Sequence, residues 1–116
     1  MARTSVVVGL VLLGVLIVSS AALAHAKLIR AEPAPGSTVK TAPPIVRAVF
    51  NDELDPKGST MTVVDGRGRR VDYGKGGVDL NDLDRRTMLV ALRPIGSGTY
   101  TVRWKLTSAD DQYVAS

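Results

Sequence analysis

From Tyr100 to Thr107 the chain alternates with period two. Tyr100, Val102, Trp104 and Leu106 fall on one side, and Thr101, Arg103, Lys105 and Thr107 on the other. This period is that of a β-strand with one face toward a core and one toward water. The stretch carries the only Trp, which predicts a central place in the sheet. It runs into Ser108-Ala109-Asp110-Asp111-Gln112, a polar turn whose carboxylates sit at the end of a rigid strand.

Weaker versions of the same pattern recur upstream. His25–Ala31 reads as a first short strand. Ile45–Asn51 sets Val46, Ala48 and Phe50 against Arg47 and Asn51, with Val49 breaking the polar face. Ser59–Asp65 offers Met61, Val63 and Val64 as apolar positions, and Gly66-Arg67-Gly68 turns it into a partner strand over Arg69–Tyr73. Thr87–Leu92 is a further strand. Breaks fall at Glu32-Pro33-Ala34-Pro35-Gly36-Ser37, at Thr41-Ala42-Pro43-Pro44 and at Pro94-Ile95-Gly96-Ser97. Gly74–Arg86 reads as irregular, anchored by Val78, Leu80 and Leu83. Short strands at this spacing, with turn chemistry between them and no helix-period segment after the first 24 residues, predict an all-β Greek-key sandwich or barrel.

Those first 24 residues have the parts of a signal peptide. Arg3 precedes an apolar run of 13 residues, Val6–Val18, shorter than the about 20 needed to cross a bilayer. Ala22-Leu23-Ala24 supplies the small-x-small cleavage pattern. The expected organisation is a leader over 1–24 and one β domain over 25–116. That domain would be periplasmic or secreted, with no stable membrane span after cleavage. Loss of Arg3 lowers the formal charge from +4 to +3, and the basic residues are scattered among few aromatics, which excludes nucleic acid as a partner. With no Cys there is no disulfide and no thiolate metal site.

Several apparent motifs resolve into plain structure. Asp52-Glu53-Leu54-Asp55 lacks the order of a Ca²⁺ loop and reads as a solvated acidic loop. Gly66-Arg67-Gly68 is a turn, since no helix follows it to receive a phosphate. Met61 and Met88 fall at apolar strand positions. His25 is the only His of the chain, so no hydrolytic Ser/His/Asp set can be assembled around a fixed imidazole, and the reading is non-enzymatic.

Gly98-Thr99-Tyr100-Thr101-Val102-Arg103-Trp104 followed by Ser108-Ala109-Asp110 resembles the end of the CopC copper-resistance domain. His25-Ala26-Lys27-Leu28 and the Pro33-x-x-Gly36-Ser37 turn are similar to its opening. The resemblance implies an immunoglobulin-like Greek-key barrel, Cu(II) as the bound ion and a CopD-like membrane protein as partner. It also implies a ligand set of an N-terminal His with an Asp and a His from the late loop. Asp110 takes the Asp position, whereas Asp111 stands where Gly is usual and Gln112 where His is usual. The family adds a Gly-x-Phe-x-Phe strand after that loop. This chain reaches Tyr113-Val114-Ala115-Ser116 at the corresponding place, so a domain incomplete at its C-terminus, with an unpaired sheet edge, is expected.

A chain that starts at His25 carries two nitrogen donors on one residue, the α-amine and imidazole Nδ1, which close a chelate ring. Nitrogen donors of this kind suit Cu(II). The expected metal-binding residues are His25, Asp110, Asp111 and Gln112, with Asp110 giving a carboxylate oxygen, Asp111 a substitute carboxylate and Gln112 only an amide oxygen. The alternative is an immunoglobulin-like interaction module without metal, in which the carboxylates are turn formers.

Overall fold

The computed structural model describes residues 26–110 and 114–116. Its strands are β1 (Leu28–Glu32), β2 (Ile45–Phe50), β3 (Thr60–Val64), β4 (Gly77–Val78), β5 (Thr87–Ala91), β6 (Thr101–Thr107) and β7 (Val114–Ala115). All pair antiparallel in one sheet, in the order β1-β2-β5-β4-β3-β6-β7. The sheet curls, so that β2 and β6, well separated in that order, face each other. Phe50 and Trp104 meet edge to face across the interior, with ring centroids 5.5 Å apart.

The expected alternation fills the core. Val46, Ala48 and Phe50 of β2, Met61 and Val63 of β3, Met88 and Val90 of β5, and Leu106 of β6 are all buried. Val49, the blemish on the polar face, is half-buried. Gly36 (φ +76°) turns the chain out of β1, a conformation that costs Gly little.

Three expectations are corrected. β6 is not central among the described strands, since β7 alone follows it in the sheet order, and Tyr100, Val102 and Trp104 are half-buried. Period two tells which way a side chain points, not how many strands lie further out. The second correction concerns Arg69–Tyr73. The hairpin closes as expected, with the Asp65 N–H donating to the Arg69 carbonyl at 2.9 Å. Beyond it only single bridges form, Val64 with Arg70 and Asp72 with Leu92. The Val71 N–H reaches the Val63 carbonyl (2.9 Å), but the Val63 N–H donates to the Asp72 carboxylate (2.8 Å) instead of to backbone. A side chain replaces one rung of the ladder, and the segment leaves β3 for β5, where the Tyr73 N–H donates to the Ala91 carbonyl at 3.0 Å. Gly76 then passes close to β3 and β5, where a Cβ would collide with the Met61 carbonyl and the Val90 side chain.

The third correction is the loop before β5. Val78 packs on the core, but Leu80 and Leu83 are 62% and 95% exposed and anchor nothing. Carboxylates shape this loop instead. Asp79 accepts from the Asn81 N–H at 2.9 Å. Asp82 accepts from the N–H groups of Asp84 (3.1 Å) and Arg86 (3.0 Å) and from the Thr87 hydroxyl (2.9 Å). Such Asx turns fix a backbone path without apolar burial.

Candidate functional site

The turn that bears Asp110 is held against the Asp52–Asp55 loop. Leu54 and Ser108 form a single antiparallel bridge. The Asp55 N–H donates to the Thr107 carbonyl at 2.8 Å and the Ala109 N–H to the Glu53 carbonyl at 3.0 Å. The Ser108 hydroxyl, on a buried residue, donates to Asp52 at 3.1 Å. Leu54 is fully buried and pins the whole arrangement to the core. The acidic loop is therefore not merely solvated. A lone Leu among carboxylates was the sequence signal for an anchor, and Asp52 is a supporting residue that the reading of charge alone missed.

The segment that leads into β1 is fixed at the same end. The Lys27 N–H donates to the Asn51 side-chain oxygen at 2.8 Å, and the Asn51 N–H donates back to the Lys27 carbonyl at 3.0 Å. Ala26 is buried beside them. Asn51 is followed in sequence by Asp52, which holds Ser108. The chain that emerges from position 25 and the turn that carries Asp110 are thus connected through two adjacent residues, Asn51 and Asp52. The Phe50 and Leu54 N–H groups donate to the Arg86 and Arg85 carbonyls, both at 2.8 Å, so the Asx-turn loop closes the same end.

Of the expected metal-binding residues, Asp110 is described, while His25, Asp111 and Gln112 lie outside the described residues. Asp110 is exposed, and among the described residues no hydrogen bond or ion pair engages its carboxylate. Among the described residues no group of three or more His, Cys, Asp or Glu side chains is placed to hold a metal ion. The structure therefore ties Lys27 to Asn51 and Ser108 to the adjacent Asp52, and describes Asp110 next to the second of these contacts in sequence.

The other well-placed carboxylate, Asp72, has a different chemistry. Its side chain is fully buried. Arg70 donates to it twice, from Nη2 to Oδ1 (2.6 Å) and from Nε to Oδ2 (3.0 Å), and the Val63 and Gly74 N–H groups each add a bond at 2.8 Å. The Arg70 hydrogen bonds, above all, pull its pKa down to about 2 against the cost of burial. A carboxylate so saturated by donors has no oxygen free for a cation. Asp82 and Asp65 are also held below the usual carboxylate range, Asp82 chiefly by the Thr87 hydroxyl and Asp65 by the Arg69 N–H.

Among the described residues no helix is long and apolar enough to cross a membrane. No curated protein sequence matches the chain. Several solved structures share its fold. CopC from Methylosinus trichosporium OB3b superimposes with a TM-score of 0.68 at 22% identity, over 78% of this chain and 85% of that one. PcoC, a methionine-rich copper resistance protein from Escherichia coli, does so with a TM-score of 0.57 at 26% identity, over 78% and 90%. The family model of the CopC domain matches residues 28–116, which takes in all seven strands of the curled sheet and both loops at the Asp110 end, and the chain belongs to that family.

Proposed function

We propose that the exported chain begins at His25 and holds one Cu(II) ion outside the cytoplasm, in the periplasm or at the cell exterior, for copper resistance, homeostasis or delivery to a CopD-like membrane protein. The observation that carries this reading is the pair of clamps Lys27–Asn51 and Ser108–Asp52, which join the chain leaving His25 to the turn bearing Asp110. Membership of the CopC family and the fold shared with PcoC, a copper resistance protein, support it.

Each residue has a separate part. His25 offers its α-amine and imidazole nitrogens. Asp110 offers a carboxylate that no donor among the described residues occupies, which distinguishes it from Asp72. Asp111 and Gln112 follow it as weaker or substitute oxygen donors. Asn51, Asp52, Leu54 and Ser108 hold the two flanks and touch no ion.

The test is a Cu(II) titration of the exported protein against a competing chelator, with its electron paramagnetic resonance spectrum. Intact mass first checks that the protein starts at His25. One ion is expected to bind, with nitrogen couplings in the spectrum. Binding weakens as pH falls from about 8 to about 6, because an α-amine (about 7.7–8.0 when unperturbed) and an imidazole (about 6.5 when unperturbed) must lose protons to bind. Acetylation of the N-terminus abolishes the chelate, Asp110→Ala weakens it and Gln112→His strengthens it. Equal binding by blocked and free N-termini would overturn the site and favour the metal-free interaction module.

A further inference from the structure

At the end of the barrel away from Asp110, β3 and β6 part. Their pairing stops at Val64 with Thr101, where β3 enters the hairpin turn and β6 begins. Between the two turns lies a cleft of about 300 Å³. One wall is formed by residues 65–67 with Arg69, the other by residues 97–100. The cleft lies on the side of β6 that faces β3, away from β7, and the length of β6 separates it from the Asp110 turn.

Each wall is held in shape by its own bonds. The Asp65 carboxylate accepts the Arg67 and Arg69 N–H groups, both at 2.9 Å, and stands 3.7 Å from the Arg69 guanidinium. The Tyr100 hydroxyl donates to the Gly96 carbonyl at 2.8 Å, and a Cβ at Gly98 would already touch the Tyr100 ring. The carboxylate and the phenol are thus committed to their own turns, and the groups left over are donors. Among the described residues no hydrogen bond engages the Arg67 guanidinium, the Ser97 and Thr99 hydroxyls or the Gly66 and Thr99 N–H groups. Two guanidiniums against one carboxylate leave the lining with one positive charge in excess. Gly66 keeps the gap clear. Its Cβ position points at the Thr99 carbonyl, 4.0 Å away, so a larger side chain there would enter the space between the walls.

We propose that this cleft binds the phosphate group of a phosphate monoester, with the guanidiniums of Arg67 and Arg69 on one side and the Ser97 and Thr99 hydroxyls on the other. Arginine forks match phosphate oxygens in geometry and charge. A monoester presents three strong acceptor oxygens, so it accepts from both walls at once. A planar carboxylate is satisfied by a single fork and leaves the hydroxyl wall unused. The volume is at the lower end for a small-molecule site, and the organic part of the ester extends toward solvent.

The proposal is independent of copper, and its test uses the exported protein with no metal added. Glycerol phosphate, glycerol and acetate are titrated at low salt while backbone amide resonances are followed by NMR. Glycerol phosphate is expected to shift Gly66, Arg67, Ser97, Gly98 and Thr99 along one saturable curve. Glycerol should shift none of them, and acetate should bind about fivefold more weakly or worse. Arg67→Gln, at an exposed position without a side-chain partner, is expected to weaken binding about fivefold. Gly66→Leu keeps every charge, obstructs the gap and is expected to abolish binding, with thermal melts confirming that both variants fold. Co-sedimentation with vesicles containing phosphatidic acid, compared with phosphatidylcholine alone, separates the sources. Retention that requires Arg67 and Gly66 assigns a lipid headgroup, whereas binding of glycerol phosphate without retention assigns a soluble ester. Three results overturn the proposal: neither binding nor retention, acetate bound as tightly as glycerol phosphate, or binding that survives both substitutions.

Discussion

Asp72 and Asp110 stand at opposite extremes of what a carboxylate can do in one small barrel. Asp72 is buried, takes both arms of Arg70 and two backbone N–H groups, and substitutes for a missing rung between β3 and its neighbour. Asp110 is exposed at the tip of a turn, and nothing among the described residues engages its oxygens. The difference lies in which donors surround each group, since the side chains are identical. Structure is carried by the carboxylate whose oxygens are all occupied, and chemistry is open only to the one whose oxygens are free.

The comparison breaks most visibly on truncation. Asp72→Ala leaves the Val63 and Gly74 N–H groups and the Arg70 guanidinium without their acceptor, and is expected to cost about 3–5 kcal/mol. Asp110→Ala is expected to stay within about 0.5 kcal/mol. Urea unfolding of both variants measures the gap, and equal losses would erase the distinction.

The turn that displays Asp110 depends in turn on Leu54. Leu54→Ala, at a fully buried position, is expected to cost about 2–5 kcal/mol. Leu83→Ala, at a position 95% exposed, should cost no more than about 0.5 kcal/mol. A comparable loss at Leu83 in the same unfolding experiment would show that the Asx-turn loop hides an apolar contact.

Acid sharpens the comparison further. Asp72 has its pKa lowered from 3.8 to about 2 in the folded state. The unfolded chain therefore takes up the proton first. The stabilisation is fully present above about pH 4 and is lost as pH falls through about 2. Its size is at most about 2 kcal/mol, discounted because Arg70 is half-exposed and screened by water. Asp72→Asn should flatten this acid limb in a series of melts, while Asp110→Asn leaves it in place. Among changes at structural contacts, the smallest effect expected is that of Ser108→Ala. It removes the bond to Asp52 and costs about 1 kcal/mol. It should also weaken the proposed Cu(II) binding, by loosening the Asp110 turn without removing any donor.

Much of this fold was legible because strand alternation is local. Val46, Ala48 and Phe50 announced the inner face of β2, and Gly66-Arg67-Gly68 the hairpin after β3, from a few residues each. Position in the sheet was not legible. Trp104 marked a core face, but the place of its strand next to last in the sheet order follows from the pairing of distant segments. Leu80 and Leu83 misled because apolar residues in an irregular stretch suggest anchors, whereas the loop is organised by Asp79 and Asp82, whose turn-forming oxygens act over two to five residues. Of the candidate site, the Asp110 turn could be read from its motif. Its support by Leu54 and Asp52 could not, since that contact joins residues more than fifty positions apart.

The contact between Phe50 and Trp104 has a consequence for how the chain assembles. Their strands are not neighbours in the sheet, so the two rings meet only when β5, β4 and β3 have brought the curl round. The single indole therefore reports closure, and not the birth of any one hairpin. In a refolding experiment its fluorescence should settle after the amides of β2 and β5 gain protection. This order follows from the entropy that long-range pairing must overcome before it is rewarded. A mixing experiment that follows both signals would time the last step by which an open ribbon becomes a barrel.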